Sequence, residues 1–543
     1  MASPLSPETR EATLAALSHA AVDLLVVGGG ITGAGIARDA ALRGLSVVLA
    51  ERVDFAAGTS SRSSKLIHGG VRYLELGDVG LVRESAAERA ILRRIAPHLT
   101  LPRRMVMPTF SRGMHMKLGL GLWTFEKIAT VPAEERHAMW SREETLEREP
   151  TIDGGRLYGA ATFTEYLTDD ARLVLETVKG AHQAGAWCVN HAEVTALRTG
   201  STMTDAAVRD GFTGAVRWVR ARMVVNAAGP WVDEVRAAAG AVGGRHLHLT
   251  KGIHLVVPHA RLPVRHIVVM QARDKRSVFA VPRGAATYLG TTDTDYGAPS
   301  FYPEVTSDDA EYLLDAANRT FTGPALQQTD VVAAWAGLRP LLHEEGKRPS
   351  EISRKDEIMT DQASGMVSIA GGKLTTYRKM AERVVDLVCA RLGRRAACRT
   401  AEVPLPGGAC TPEELSRLIP ALTERLPRLA PGSAERLVGL YGGACDAILA
   451  RAAADPAAGE PVSGLAQVPR AEIEHILAEE MALTLADVLE RRTRCLLFDP
   501  QQGRAGVEAV AALAAARLGW DARRTQAEID GYRSLAESLR SFQ

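Results

Sequence analysis

Gly28, Gly30 and Gly33 stand in G-x-G-x-x-G spacing inside VVGGGITGAG, and Glu51 closes the apolar run SVVLAE that follows. In such a pattern the first glycine permits a tight turn, the second lets the backbone approach a pyrophosphate, and the third lets a helix pack closely on a strand. Ile31 and Thr32 fall at the start of that helix, where unpaired N–H groups and the helix dipole favour negative charge. Glu51 is placed to accept a hydrogen bond from an adenosine ribose hydroxyl, and it would repel a 2′-phosphate. An adenine dinucleotide site is expected, because strand, glycine turn, helix and closing acid agree. The fingerprint alone does not choose between NAD and FAD. Its place near the N-terminus favours a flavin, as does a second nucleotide-type segment far along the chain, VVNAAG at 224–229, which carries Ala228 and Gly229.

The elements that must hold these residues follow from periodicity. Asp23–Val27 and Leu45–Glu51 read as buried parallel strands, and Ile31–Arg43 as the helix between them, ending at Gly44. Residues 78–94 and 173–186 read as helices; 192–197, where Val194 is expected beside the nucleotide, 208–220 and 223–226 read as strands. Residues 100–150 show no clear period. From His246 to about Arg339, runs such as HLVVP, IVVMQ and SVFAVP suggest an antiparallel sheet over the nucleotide domain. VPLPGGAC at 403–410 reads as a linker, and Thr411-Pro412-Glu413-Glu414 as a capping box opening a helical tail. The expected class is α/β: a discontinuous nucleotide-binding domain (20–95, 151–245, 340–400), a substrate domain (96–150, 246–339) and a C-terminal helical domain (405–543).

Composition removes several functions. A net charge of +1 gives no overall pull toward nucleic acid, and six scattered cysteines without C-x-x-C argue against zinc or a redox dithiol, so no metal is expected. Glu8 and Glu11 stand where a signal peptide would be basic and apolar; Ser6-Pro7 reads as a helix cap. No run is long and apolar enough to span a membrane.

Downstream segments carry a family likeness. TSSRSSKLIHGGVRYLE (59–75), NAAGPW (226–231), LTKGIHLVVP (249–258), GTTD (290–293), GLRP (337–340) and GGKLTTYRKM (371–380) follow one another in this order. Over about residues 20–400 the chain resembles the FAD-dependent glycerol-3-phosphate dehydrogenases, and the tail segment LERRTRCLLFD resembles their C-terminal domain. One departure is Thr32, where many relatives have asparagine. The resemblance implies a glutathione-reductase-like FAD domain, oxidation of glycerol 3-phosphate to dihydroxyacetone phosphate, and a quinone as electron acceptor at the cytoplasmic membrane face. It implies FAD contacts at Thr59, Ser60, Ser64, Lys65, His68, Gly372, Lys373 and Thr375.

Secondary-alcohol oxidation needs a proton acceptor and a hydride acceptor; the flavin supplies the second. His254, near Asp274, is the leading base, since histidine titrates close to neutrality. Arg72, Arg339 and Arg354 are the candidates to clamp a phosphate, whose oxygens match the guanidinium fork. Tyr73 is expected at the substrate or beneath the flavin, and Lys373 near the flavin N1/O2 edge. Arginines and lysines beside MKLGLGLWTFEKIA (116–129) fit an interfacial membrane patch as well as a solvated face. The alternatives are an oxidase of the same family making hydrogen peroxide, an amine or amino-acid oxidase, and a non-catalytic or nucleic-acid-modifying FAD protein. Oligomeric state is left open.

Overall fold

A computed structural model describes residues 3–70, 78–240, 246–342 and 356–543. Arg72, Tyr73 and Arg354 therefore lie outside the described residues.

The fingerprint strand, Ala21–Val27, is the centre of a mixed eight-stranded sheet. It pairs in parallel with Val47–Ala50 on one side and with Val216–Asn226 on the other, the latter pairing in turn with Val367–Gly371. Strands joined this way are covered on both faces, which explains why LLVV and VVLA are apolar throughout rather than alternating. Helix Ile31–Leu42 packs beneath the sheet; a Cβ at Gly33 would lie 1.9 Å from the Gly28 carbonyl oxygen, so only glycine permits this approach. The 208–220 stretch expected as one strand is two, Thr204–Asp210 and Val216–Asn226, antiparallel about a Gly211–Gly214 turn. The turn reads Asp210-Gly211-Phe212-Thr213-Gly214, with the Asp210 carboxylate accepting from the Phe212 N–H and Thr213 Oγ1.

A second, ten-stranded sheet is largely antiparallel. Its longest pair is Leu247–Pro258 with Ala333–Leu342, in register from Leu247↔Leu342 to Val256↔Ala333. Residues 101–129, expected to be irregular, form strand Leu101–Thr109 and helix Arg112–Ala129, capped by Ser111. Methionine, arginine and proline are mixed there because the strand's outer face is solvated. Strand Gly159–Leu167, expected with the nucleotide-binding part, pairs with Leu101–Thr109 in this second sheet.

The tail is helical from Pro412, with the Thr411–Glu414 capping box formed. Its later helices share one apolar core with the second sheet, where Leu485, Leu489, Leu496 and Val510 meet Val256, Tyr288 and Trp335. ERRTR lies at the end of a π-helical turn, Asp487–Arg492, and points inward. Arg491 and Arg492 both bind Asp54 of the nucleotide-binding part, and Arg494 binds Asp169 and Asp170. Among the described residues no helix is long and apolar enough to cross a membrane.

Candidate active site

Four segments remote in sequence line one cavity of about 410 Å³: Gly28, Gly30, Ile31 and Thr32; Glu51 to Ser60; Ala228 to Trp231; and Gly371 to Lys373. Val194 lines it as well. The Ile31 N–H donates to Ser60 Oγ at 2.9 Å, which ties the 59–65 segment to the start of the fingerprint helix. The following amides of that first turn have no partner within the helix and suit a pyrophosphate. Glu51 does two jobs in this position. Its carboxylate accepts from the Gly29 N–H at 2.6 Å and the Val53 N–H at 2.9 Å, so it fixes the glycine turn as well as facing the cavity. Burial pushes its carboxyl above the usual range, and these two amide bonds oppose that shift. Glycine turn, helix start and buried acid together fit an adenine dinucleotide.

Other residues enter the wall without any signal from the fingerprint. Trp231 stacks on Phe301 with centroids 4.2 Å apart, and the Arg52 guanidinium lies 4.5 Å from the Trp231 ring. Trp231 follows NAAGP and was within reach of sequence reasoning; Phe301, in a polar loop, was not.

The 59–65 segment runs across one face of the second sheet. Thr59 Oγ1 donates to the Leu338 carbonyl, Trp335 Nε1 to the Ser63 carbonyl, and Ser64 Oγ meets His254 Nε2 at 2.9 Å. Because side chains alternate along strands, Gly252 and His254 share this face with Trp335, Gly337 and Arg339. The glycines make room. A Cβ at Gly290 would sit 2.0 Å from the His254 ring, and one at Gly252 would sit 2.2 Å from the Arg339 guanidinium.

His254 is buried and stacks on Trp335, with centroids 4.6 Å apart and planes 9° apart. Among the described residues its Nδ1 has no hydrogen-bond partner. Burial, then the charges of Lys65 and Arg339, hold it well below the usual histidine range. Arg339 binds Asp293 at 3.0 Å through one Nη and Thr291 Oγ1 at 3.1 Å through the other. Pro340, next in sequence, lines the cofactor cavity, as do Ser63 and Lys373.

Several expected contacts fall elsewhere. Asp274 is not brought to His254; it sits in an exposed hairpin turn, bound to Arg276 and Tyr312. Lys65 does not line the cavity but is fully buried on Asp170. His68 and Thr375 bind one another behind the wall, the His68 N–H donating to Thr375 Oγ1. For Lys65 a polar side chain inside a nucleotide-like motif turned toward an internal partner, which spacing along the chain does not reveal.

Comparison with known proteins agrees with this geometry. Residues 23–378 match the family model described as FAD dependent oxidoreductase, and residues 398–525 match the C-terminal domain of alpha-glycerophosphate oxidase. The chain is 41% identical over 528 residues to an aerobic glycerol-3-phosphate dehydrogenase of Bacillus subtilis, covering 94% of each. It superposes on a glycerol-3-phosphate dehydrogenase of Bacillus halodurans complexed with FAD, with a TM-score of 0.83, 35% identity and 98% of each chain covered. An L-alpha-glycerophosphate oxidase of Mycoplasma pneumoniae with FAD bound is similar over 71% of this chain and 99% of its own, at a TM-score of 0.56 and 18% identity, which is likeness of fold.

Proposed function

The chain belongs to the family of FAD-dependent glycerol-3-phosphate dehydrogenases, and from that premise we propose that it oxidises sn-glycerol 3-phosphate to dihydroxyacetone phosphate and passes the electrons to a quinone at a membrane surface. The observation that carries the reading is the seating of His254 and Arg339 on glycines, on one sheet face beside the wall that holds Lys373.

The fingerprint turn, Glu51, Ser60, Ala228 and Gly372 would hold FAD, which would supply the acceptor for the carbon-bound hydride of the alcohol. The protein's part is to remove the hydroxyl proton and to hold the phosphate. With Nε2–H donating to Ser64 Oγ, Nδ1 is the basic nitrogen of His254 and takes that proton. The tautomer is our assignment. Stacking on Trp335 fixes the ring plane. Arg339 anchors the phosphate, with Asp293 orienting its guanidinium, and Lys373 places a cation at the cavity wall. Arg72, Tyr73 and Arg354 complete the polar set in this reading.

The acceptor reading rests on helix Arg112–Ala129. Arg112, Met116, Leu120, Trp123 and Lys127 recur at four, four, three and four residues, which puts them on one face. Met116, Leu120 and Trp123 are 63%, 65% and 52% exposed, so an apolar stripe faces outward with a cation at each end. Lipid headgroups accept such a stripe, with the cations reaching to the phosphate level. Arg93 and Arg94 do not contribute to it; they bind backbone carbonyls of Pro97, Thr100 and Ala401.

Anaerobic mixing of the yellow protein with glycerol 3-phosphate tests the reaction: the visible flavin band bleaches, and persistence of the band refutes the reading. Reoxidation by a quinone analogue faster than by air identifies the acceptor, whereas stoichiometric peroxide in air marks an oxidase.

A further inference from the structure

Lys65 is a lysine with no water around it. Its side chain has 0% exposure, and Nζ donates to Asp170 Oδ1 at 2.8 Å and to the Ser61 carbonyl at 2.9 Å. Burying an ammonium costs several kcal/mol even when it is paired, so a lysine kept there calls for a reason. It is outside the cofactor cavity, and substrate clamping does not use it.

Its surroundings supply that reason. Lys65 Nζ lies 5.0 Å from the Trp335 ring centroid, and the same indole stacks on His254 at 4.6 Å. The residue before Lys65 binds His254 Nε2, and the residue before that accepts from Trp335 Nε1. Three consecutive residues, Ser63, Ser64 and Lys65, thus hold the indole and the imidazole as one unit. Lys65 has φ of +55°, a left-handed backbone bend at the point where the segment passes from the Ser64–His254 contact to the buried Lys65–Asp170 pair.

The charge beneath is unbalanced. Asp170 also binds Arg494 from the C-terminal helices, and Asp169 binds Arg494 and Arg283. Lys65, Arg283 and Arg494 face Asp169 and Asp170; burial and the Arg494 charge push Lys65 down to about 7, so the excess of one positive charge is complete only below that pH, where His254 would take its proton. The other groups facing His254 are Arg339 with Asp293, from the neighbouring strands, and the Tyr288 ring at 6.2 Å. No described carboxylate bonds His254 to favour its cation.

We propose that Lys65 is a positioning residue for the oxidation: acting through Trp335, it fixes the His254 ring and keeps the imidazole neutral, ready to accept a proton. The assignment rests on His254 being the base. The charge of Lys65, second to burial, acts in the same direction on His254.

The test uses holoenzyme labelled at the histidine imidazole nitrogens, with the His254 signal assigned by its loss in His254→Asn. In the native protein that signal stays at its neutral position between about pH 5 and 8. Removing a cation makes protonation easier, so in Lys65→Met the signal begins to titrate at a higher pH than in the native protein, by about one unit. The acid limb of the flavin-reduction rate moves up with it, and Lys65→Arg restores both. An unchanged His254 titration in flavin-loaded Lys65→Met overturns the proposal. If Lys65→Met does not accumulate as holoenzyme, Lys65→Gln, which keeps a donor for Asp170 and the Ser61 carbonyl, decides in its place, with the same upward shift expected and no shift overturning the proposal. Normal flavin reduction by His254→Asn would instead remove the base assignment, and the nuclear resonance result would still report on Lys65.

Discussion

At the scale of single residues, the site is defined by what each side chain is tied to. Among the described residues His254 has Ser64 on one nitrogen and no partner on the other; its replacement by asparagine keeps an amide nitrogen near the Nδ1 position but removes the proposed base, so the flavin-reduction rate should fall about 100-fold or more with FAD retained. Stopped-flow reduction under anaerobic conditions reads this directly. Arg339→Lys keeps charge but loses the planar fork, and the apparent KM should rise about tenfold or more, matching one charge-assisted hydrogen bond of roughly 1.5–3 kcal/mol. Asp293→Asn is the control for the disturbed pair. Sequence singled out His254 and Arg339 because KGIHLVVP and GLRP place a polar side chain in otherwise apolar strands, and the fold brings both to one sheet face. Trp335 and Asp170 were not singled out, since an indole in VVAAWAG reads as core and an acid in TDDAR as a helix start. Each became informative only when a distant segment was folded over it. Asp274 misled for the opposite reason: its neighbours in ARDKR satisfy it locally.

Elements act as rigid mounts for those side chains. The fingerprint helix can approach its strand only across Gly33, so Gly33→Ala forces apart the two surfaces that form the pyrophosphate turn. The protein should be recovered largely colourless, as measured by the flavin-to-protein absorbance ratio. On the second sheet, Gly290→Ala would push the His254 ring off Trp335. Overpacking of this kind costs about 1–3 kcal/mol, and here the loss should appear in reduction rate more than in melting temperature. The βαβ opening and the Thr411 capping box were readable because local rules and tertiary packing agree there. The helix Arg112–Ala129 hid because both its faces carry apolar residues, and only the fold tells which face is outside. Replacing Leu120 and Trp123 by glutamine should leave anaerobic flavin reduction unchanged while lowering co-sedimentation with anionic vesicles.

For the whole molecule, stability depends on charges buried where the parts meet. Asp487 is buried among His191 and Arg491 with its carboxyl held far below the usual range, so that pairing persists as pH falls through about 4, where an unfolded aspartate takes up its proton. His98 behaves differently. It packs against Gly407 and Gly442, where the linker meets the tail, and burial pushes its pKa down to about 3. The unfolded chain therefore binds a proton at His98 that the folded chain refuses between about pH 6.5 and 3, and stability falls as pH drops through this range. His98→Gln should flatten that fall in melting scans from pH 7 to 5. The tail is joined to the rest by buried charges from both sides of the seam: Asp54 meets Arg491 and Arg492, and Asp169 and Asp170 meet Arg494. Breaking one such buried pair costs about 3–5 kcal/mol. It follows that this tail is not a module to be traded between homologous enzymes by itself. A chimera inherits a working seam only if acids and arginines cross over together, so the recombination boundary must be drawn through three dimensions rather than at the linker.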